Sequence, residues 1–235
     1  MSAAGPAEDP GPGQAPREGV ELGPPPGPGG ADLLSRAVAL AGFRPGARVL
    51  DVGCGAGRSV ELLRRRFGLK AAGLDADPGA AAARGLPLLR ARGERLPVAD
   101  GALDGVLLEC VLSVMAGRAA VLSECVRALS PGGRLIVADL FARGGQGEAF
   151  SPAACGASFL SREALVELVE RQGLRVECCE DRSEVLREYL FRFVMERGPV
   201  EDLLRYLGGA GADPRATAAG VRRLGYLLLL AVKRR

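Results

Sequence analysis

Apolar residues recur along this chain in two rhythms. Leu33, Leu34, Ala37, Val38 and Ala41 share one face at helical spacing behind Asp32 as a candidate cap, until Gly42 and Pro45 end the run. Short Val-, Leu- and Ile-rich stretches at 47–52, 71–74, 86–89, 102–110 and 134–139 read instead as buried strands. Helical patterns over 58–66 and 119–129 lie between them. A helix over 161–172 with a Ser-Arg-Glu-Ala start, a strand over 174–179 and a strand over 226–233 complete the series. Strands of this kind separated by helices predict a doubly wound α/β domain with a parallel sheet covered on both faces.

The segment 181–225 interrupts that alternation. Val185, Leu186, Tyr189, Leu190, Phe193 and Val194 predict an amphipathic helix, followed by a short helix over 203–207 and a Gly/Ala loop. It fits either a helix packed on the sheet or a lid over a site. At the other end, residues 1–30 hold eight prolines and eight glycines, which predicts a disordered tail and places the domain at 31–235. Pro24, Pro25 and Pro26 leave open a polyproline ligand.

Composition narrows the chemistry. The chain of 235 residues is 48% apolar and 25% charged with a net charge of +3, values that give no polyanion-binding excess. It contains no histidine, which excludes Ser-His-Asp hydrolysis, Cys-His proteolysis and HExxH zinc chemistry. Six cysteines (Cys54, Cys110, Cys125, Cys155, Cys178, Cys179) show no CxxC spacing, so no metal site is expected. The N-terminus has neither a basic nor an apolar export region, and the stretch 225–232 is too short to cross a bilayer as a helix. These features predict reduced thiols, a cytoplasmic location and no membrane contact.

The sharpest local signal is Val49-Leu50-Asp51-Val52-Gly53-Cys54-Gly55-Ala56-Gly57, a strand running into a glycine turn and a helix. Such a turn lets backbone approach a ligand closely. Asp51 at the strand tip disfavours a pyrophosphate there and favours an ammonium, and Arg58 stands where a dinucleotide fingerprint has its third glycine. Asp75 lies at the distance from the glycine turn where a carboxylate accepts from a ribose diol, a feature shared by NAD and S-adenosylmethionine sites.

Taken in order, VLDVGCGAG, GLDADP, ERLPVADGALDGV and LSPGGRLIVAD resemble the successive motifs of class I S-adenosylmethionine-dependent methyltransferases. The resemblance covers 31–235. It implies a Rossmann-like seven-stranded sheet with an antiparallel last strand at 226–233, and S-adenosyl-L-methionine bound across the strand ends. Asp51, Gly53, Gly55 and Gly57 would face its methionine part, Asp75 and Ala76 its ribose, Gly93 and Glu94 its adenine, with Glu109 beside it. Arg92 stands where relatives carry an acidic residue against the adenine amino group.

Within that family, Glu109-Cys110-Val111-Leu112-Ser113 and the following Ala120–Glu124 stretch resemble arsenite methyltransferases, which hold a soft trivalent centre on thiolates. Cys110 and Cys155 would supply two such thiols, while the upstream cysteine and extra C-terminal region of those enzymes are absent. The opposing reading is that both are small buried apolar residues. Methyl transfer needs alignment and water exclusion more than a strong base. Glu109, Asp139, a tyrosine or a thiolate could each take a proton, and Glu109 and Asp139 fit equally well as plain strand termini or caps. The expected partner is a small-molecule acceptor: a thiophilic species, or an ordinary oxygen, nitrogen or carbon nucleophile. A cofactor-binding module without catalysis stays open. Nucleic acid is not expected, because the basic clusters at 64–66 and 233–235 lack a stacking platform.

Overall fold

The computed structural model describes residues 27–78, 85–115, 117–144, 159–198 and 223–234. The elements run α1 (Gly30–Ala41), β1 (Arg48–Val52), α2 (Arg58–Phe67), β2 (Lys70–Asp75), β3 (Leu88–Arg90), β4 (Leu103–Glu109), a 3-10 turn (Leu112–Val114), α3 (Arg118–Ala128), β5 (Leu129–Ala142), α4 (Arg162–Arg171), β6 (Leu174–Asp181), α5 (Ser183–Arg197) and β7 (Leu224–Lys233). Among the described residues no helix is long and apolar enough to cross a membrane.

The strands form one sheet of seven in the order β3-β2-β1-β4-β5-β7-β6. β1, β2, β3, β4 and β5 are mutually parallel, and β7 runs antiparallel to both β5 and β6. Successive strand residues point to opposite faces, so each parallel strand supplies two cores. Val49, Leu107 and Ile136 pack with Leu34, Val38, Val60, Leu63 and Leu186 of α1, α2 and α5. Leu50, Val106, Leu108 and Val137 pack with Val121, Leu122, Leu165 and Val169 of α3 and α4. The doubly wound architecture read from the sequence is therefore the one observed.

Local chemistry adjusts several boundaries. Asp32 does not cap α1; the helix starts at Gly30 behind Gly29, and Asp32 sits in the first turn, where a carboxylate still faces the helix dipole favourably. Gly27 and Gly29, on the tail side of the boundary drawn at residue 30, lie close to Glu109 and to Leu33 and Val185 respectively. Ser161 does cap α4, its hydroxyl accepting from the Ala164 amide at 3.1 Å. β5 is longer than the predicted 134–139: Leu129 pairs with Leu103, residues 130–133 bulge out, and Arg134 resumes opposite Gly105. Pro131 has no amide to give a ladder, which explains the interruption. β4 ends at Glu109, and Cys110, predicted as strand, turns with φ +55. The helix predicted over the first part of the 181–225 segment is α5, packed through Leu186. The helix predicted over 203–207, the tail to residue 26 and Cys155 lie outside the described residues.

Gly105 shows how tightly the sheet is packed. A Cβ there would stand 2.3 Å from Cζ and 2.7 Å from Cε1 of Phe43. Gly105→Ala is expected to lower unfolding free energy by about 1–3 kcal/mol through overpacking, measured by urea denaturation. A variant as stable as the wild type would mean that the Phe43 ring yields freely.

Candidate active site

β1 lies between β2 and β4, so the winding direction reverses at its carboxyl end and the loops leaving β1 and β4 diverge. That divergence opens a crevice. At its base the glycine turn passes through the left-handed region at Gly53, Gly55 and Gly57, with φ of +79, +47 and +71. The amides of Gly53 and Cys54 donate to the Leu74 carbonyl at 2.7 and 3.1 Å. Gly53 is needed for space as well, because a Cβ would stand 2.3 Å from Val111 Cγ2. Above Gly55 nothing lies within 4 Å of where a Cβ would be. The turn thus presents bare backbone to the crevice.

Three carboxyls surround it, Asp51 and Asp139 buried and Glu109 half-buried, and each is treated differently. Asp139, on β5, accepts from the amides of Val111 and Ser113 through Oδ2, both at 3.1 Å, and from Leu140 through Oδ1 at 2.7 Å. Burial pushes its pKa up against the pull of those bonds. Both Asp139 oxygens thus accept from backbone amides, whereas Glu109 has the single Ser59 bond. Glu109, at the β4 tip, accepts from Ser59 Oγ through Oε2 at 2.8 Å. Burial raises its pKa, the Ser59 bond opposes this, and the Asp139 charge adds to it. Asp51 is 2% exposed. Burial, then Glu109 and Asp75, hold its pKa well above the ordinary value. A carboxyl desolvated in this way is favoured in its charged form by a cationic group placed beside it.

The cysteine beside Glu109 has a different character from the one its motif implies. Cys110 Sγ lies 3.2 Å from the Tyr226 hydroxyl, which also donates to the Ala138 carbonyl at 3.2 Å. Burial and the neighbouring Asp139 and Glu109 charges push the thiol well above its usual value, so it stays protonated at neutral pH. Cys54 is likewise pushed up to about 12, chiefly by burial. Chain preceding α1 closes over this corner: a Cβ on Gly27 would stand 3.2 Å from Glu109 Oε1 and 3.6 Å from Cys110 Sγ. Gly27 also borders a cavity of about 410 Å³ whose walls include Leu33, Val185, Tyr189 and Phe193. α5 is therefore both a packing helix and a wall.

The remaining expected residues fall around the same crevice. Asp75 ends β2 and accepts from the Gly55 amide through Oδ2 and from the Asp77 amide through Oδ1, both at 2.9 Å. Each of its oxygens keeps a second lone pair for a ligand hydroxyl. Ala76 is exposed beside it. Gly93 is buried, and its Cβ position lies 3.2 Å from Val52 Cγ1 and 3.4 Å from Met115 Cε. Glu94 is paired at 3.6 Å with Arg92, whose side chain is otherwise in solvent, so the unusual arginine does not enter the crevice. Ser59, Tyr226 and Gly27 were not singled out from the sequence. Ser59 had a usable signal, its place in the first turn after the glycine motif, and Tyr226 had another, the one hydroxyl in an otherwise apolar strand.

This geometry suits a ligand with a cationic amino-acid end at Asp51, a polyhydroxylated centre near Asp75 and a flat group near Gly93. Comparisons with known proteins point the same way. A family profile described as a methyltransferase domain matches residues 50–137. The chain is similar to methyltransferase GfsG of Streptomyces halstedii, 30% identical over 215 residues, spanning 80% of this chain and 74% of that protein. An O-methyltransferase of Pyrenophora dematioidea is 29% identical over 206 residues, spanning 80% and 75% respectively. Among solved structures, the 4+2 cyclase SpnF superposes with a TM-score of 0.71 at 25% identity, covering 87% of this chain and 80% of that one.

Replacing Asp51 by Asn should separate stability from binding. Because the folded carboxyl has a raised pKa, the penalty of ionising it is absent in acid and grows as pH rises through that pKa. Asp51→Asn is expected to be more stable than the wild type at neutral pH by about 1–3 kcal/mol, with the gap closing in acid. It should also lose affinity for S-adenosylhomocysteine in calorimetry. Equal stability at every pH would show that Asp51 carries no unpaired charge.

Proposed function

Because this chain belongs to the class I S-adenosylmethionine-dependent methyltransferases, we propose that its acceptor is a small molecule methylated on an acidic hydroxyl, with Glu109 taking the proton. The single observation that carries this reading is the state of Glu109. It is a half-buried carboxylate with a raised pKa, one oxygen held by Ser59 and the other turned towards the corner where Gly27 passes. A carboxylate so placed is a stronger proton acceptor than one in water, and its geometry is fixed before reaction.

When bound, S-adenosylmethionine supplies a methyl group already activated by a sulfonium. The chain's own residues do the rest. Asp51 offers the charge partner for an ammonium, and the glycine turn gives close backbone contact. Asp75 offers its spare lone pairs to hydroxyls, with the Gly93 and Glu94 region forming the wall for a flat base. At the acceptor end Glu109 Oε1 receives the hydroxyl proton, leaving an oxygen nucleophile aligned by the walls of α1 and α5. The Gly27 segment and Tyr226 cover this corner and limit water. The name of the Pyrenophora relative supports an oxygen acceptor.

A thiolate-bound trivalent arsenical, held by Cys110 with Cys155, has support from the Cys110 motif but not from the state of that thiol. Burial and the neighbouring Asp139 and Glu109 charges raise its pKa and keep it neutral, against the opposing pull of the Tyr226 bond. Alkylation at neutral pH, followed by peptide mass spectrometry, should modify Cys110 at least about tenfold more slowly than a free cysteine. Rapid modification would revive the soft-ligand reading.

Screening phenolic and enolic compounds with methyl-labelled S-adenosylmethionine tests the main reading. Glu109→Gln should lower kcat/KM by about 10²–10⁴ while S-adenosylhomocysteine affinity stays within about threefold. In the wild type the rate should climb as pH rises through a Glu109 pKa above the usual 4.5. That limb should be missing in Glu109→Gln. Unchanged turnover in the variant, or product methylated only on sulfur or a metalloid, would sink the assignment.

A further inference from the structure

Between the two ends of the crevice runs one short piece of chain, residues 109–117, and its middle is gripped from two sides. Asp139 takes the Val111 and Ser113 amides on a single oxygen at 3.1 Å each. Arg118, at the start of α3, donates Nε to the Leu112 carbonyl at 2.5 Å and Nη2 to the Ser113 carbonyl at 3.2 Å. The turn Leu112–Val114 therefore has amides held by an acid on the sheet and carbonyls held by a guanidinium on a helix. The Asp139 grip is buried and the Arg118 grip half-buried, and burial pushes the Asp139 pKa up and the Arg118 pKa down. Hydrogen bonds in such a setting are strong, and a lost partner is expensive.

The gripped turn has consequences in both directions along the chain. Upstream, Cys110 is held at φ +55, a conformation disfavoured for a residue with a side chain, and Glu109 precedes it directly. The surrounding bonds must enforce that bend. Its amide donates to the Ala138 carbonyl at 2.8 Å, and the next fixed points are the Val111 and Ser113 amides. Downstream, Met115 Cε stands 3.4 Å from the Gly93 Cβ position, and a Cβ on Gly117 would stand 3.3 Å from Glu94 Cγ. One rigid turn thus sets the proton-accepting carboxylate on one side and the wall for the flat base on the other.

We propose that Asp139 and Arg118 are a pair of positioning residues, a clamp that fixes the 109–117 segment and so places both ends of the crevice in one register. The proposal rests on the methyl-transfer reading only in treating Glu109 as the group being placed. Neither residue touches the reactants; both act through the backbone of Val111, Leu112 and Ser113. Asn at position 139 has a single acceptor oxygen, so it cannot keep the Leu140 bond together with the pair to Val111 and Ser113. Met at 118 removes the donors, whereas Lys retains a charged donor that can reach the same carbonyls.

Calorimetric titration with S-adenosylhomocysteine and amide hydrogen exchange, both on the full chain, test the clamp without any acceptor. Asp139→Asn and Arg118→Met should each bind about tenfold more weakly and exchange faster across 109–117. Arg118→Lys should recover most of the loss. The Asp139→Asn/Arg118→Met double variant should bind about as weakly as the worse single variant, since both act on one turn. Gly105→Ala, which lowers stability elsewhere in the sheet, should leave affinity and 109–117 exchange at wild-type values. The clamp is refuted by wild-type binding in both single variants, by Arg118→Lys behaving like Arg118→Met, or by Gly105→Ala weakening binding equally. If Asp139→Asn does not fold, the two Arg118 variants decide the matter. Failure here leaves the Glu109 assignment standing, because that depends on turnover and its pH profile.

Discussion

Placing several carboxyls in one water-poor crevice is the constraint from which the rest of this site follows. Parallel strands end on the same side of a sheet, so Asp51, Asp75, Glu109 and Asp139 are brought together by topology. Like charges at low dielectric repel, and the fold meets that repulsion with a different answer for each acid. Asp139 is neutralised by amides, Asp75 by the glycine turn and the Asp77 amide, Glu109 partly by a serine. Asp51 is held chiefly by burial, which keeps its pKa well above the ordinary value. The graded treatment gives carboxyls of nearly the same chemistry different hydrogen-bonded states.

How much of this could be read from sequence depends on range. The helical stripe of α1, the apolar strands β1, β2 and β7, and the Ser161 cap are local patterns and appear where they were expected. The glycine motif and its acids were visible because the turn requires unusual backbone. The division of labour was not. Asp139 and Glu109 look alike as acidic strand tips, and only the tertiary path of residues 110–113 shows that one is fully hydrogen-bonded. Cys110 reads as a thiolate candidate by motif, yet burial and the nearby Asp139 and Glu109 charges, which only the tertiary fold brings about, push its pKa up. Arg118 carries no signal at all, since an arginine in a first helical turn is unremarkable until its carbonyl partners are known.

The fold alone would not have assigned the chemistry. SpnF, a cyclase, shares this architecture at a TM-score of 0.71, which shows how far reaction type can vary on one scaffold. The distinction lies in what each strand tip carries and in what covers it. Here the cover comes from chain flanking the sheet, with Gly27 over Glu109 and α5 beside α1.

The position of β7 has a further effect, on how the molecule is assembled. β6 has a single neighbour in the sheet, and that neighbour is β7, which follows it only after an intervening stretch of chain. Until β7 slots between them, both β5 and β6 present open edges, and the Cys178 and Cys179 strand has nothing to dock on. Assembly of this half is therefore a late, long-range event. It also completes the reaction chamber, since Tyr226 arrives on the same strand. Any molecule caught short of that step would show sticky strand borders and reactive sulfur at once, which ties its catalytic readiness to its resistance to clumping.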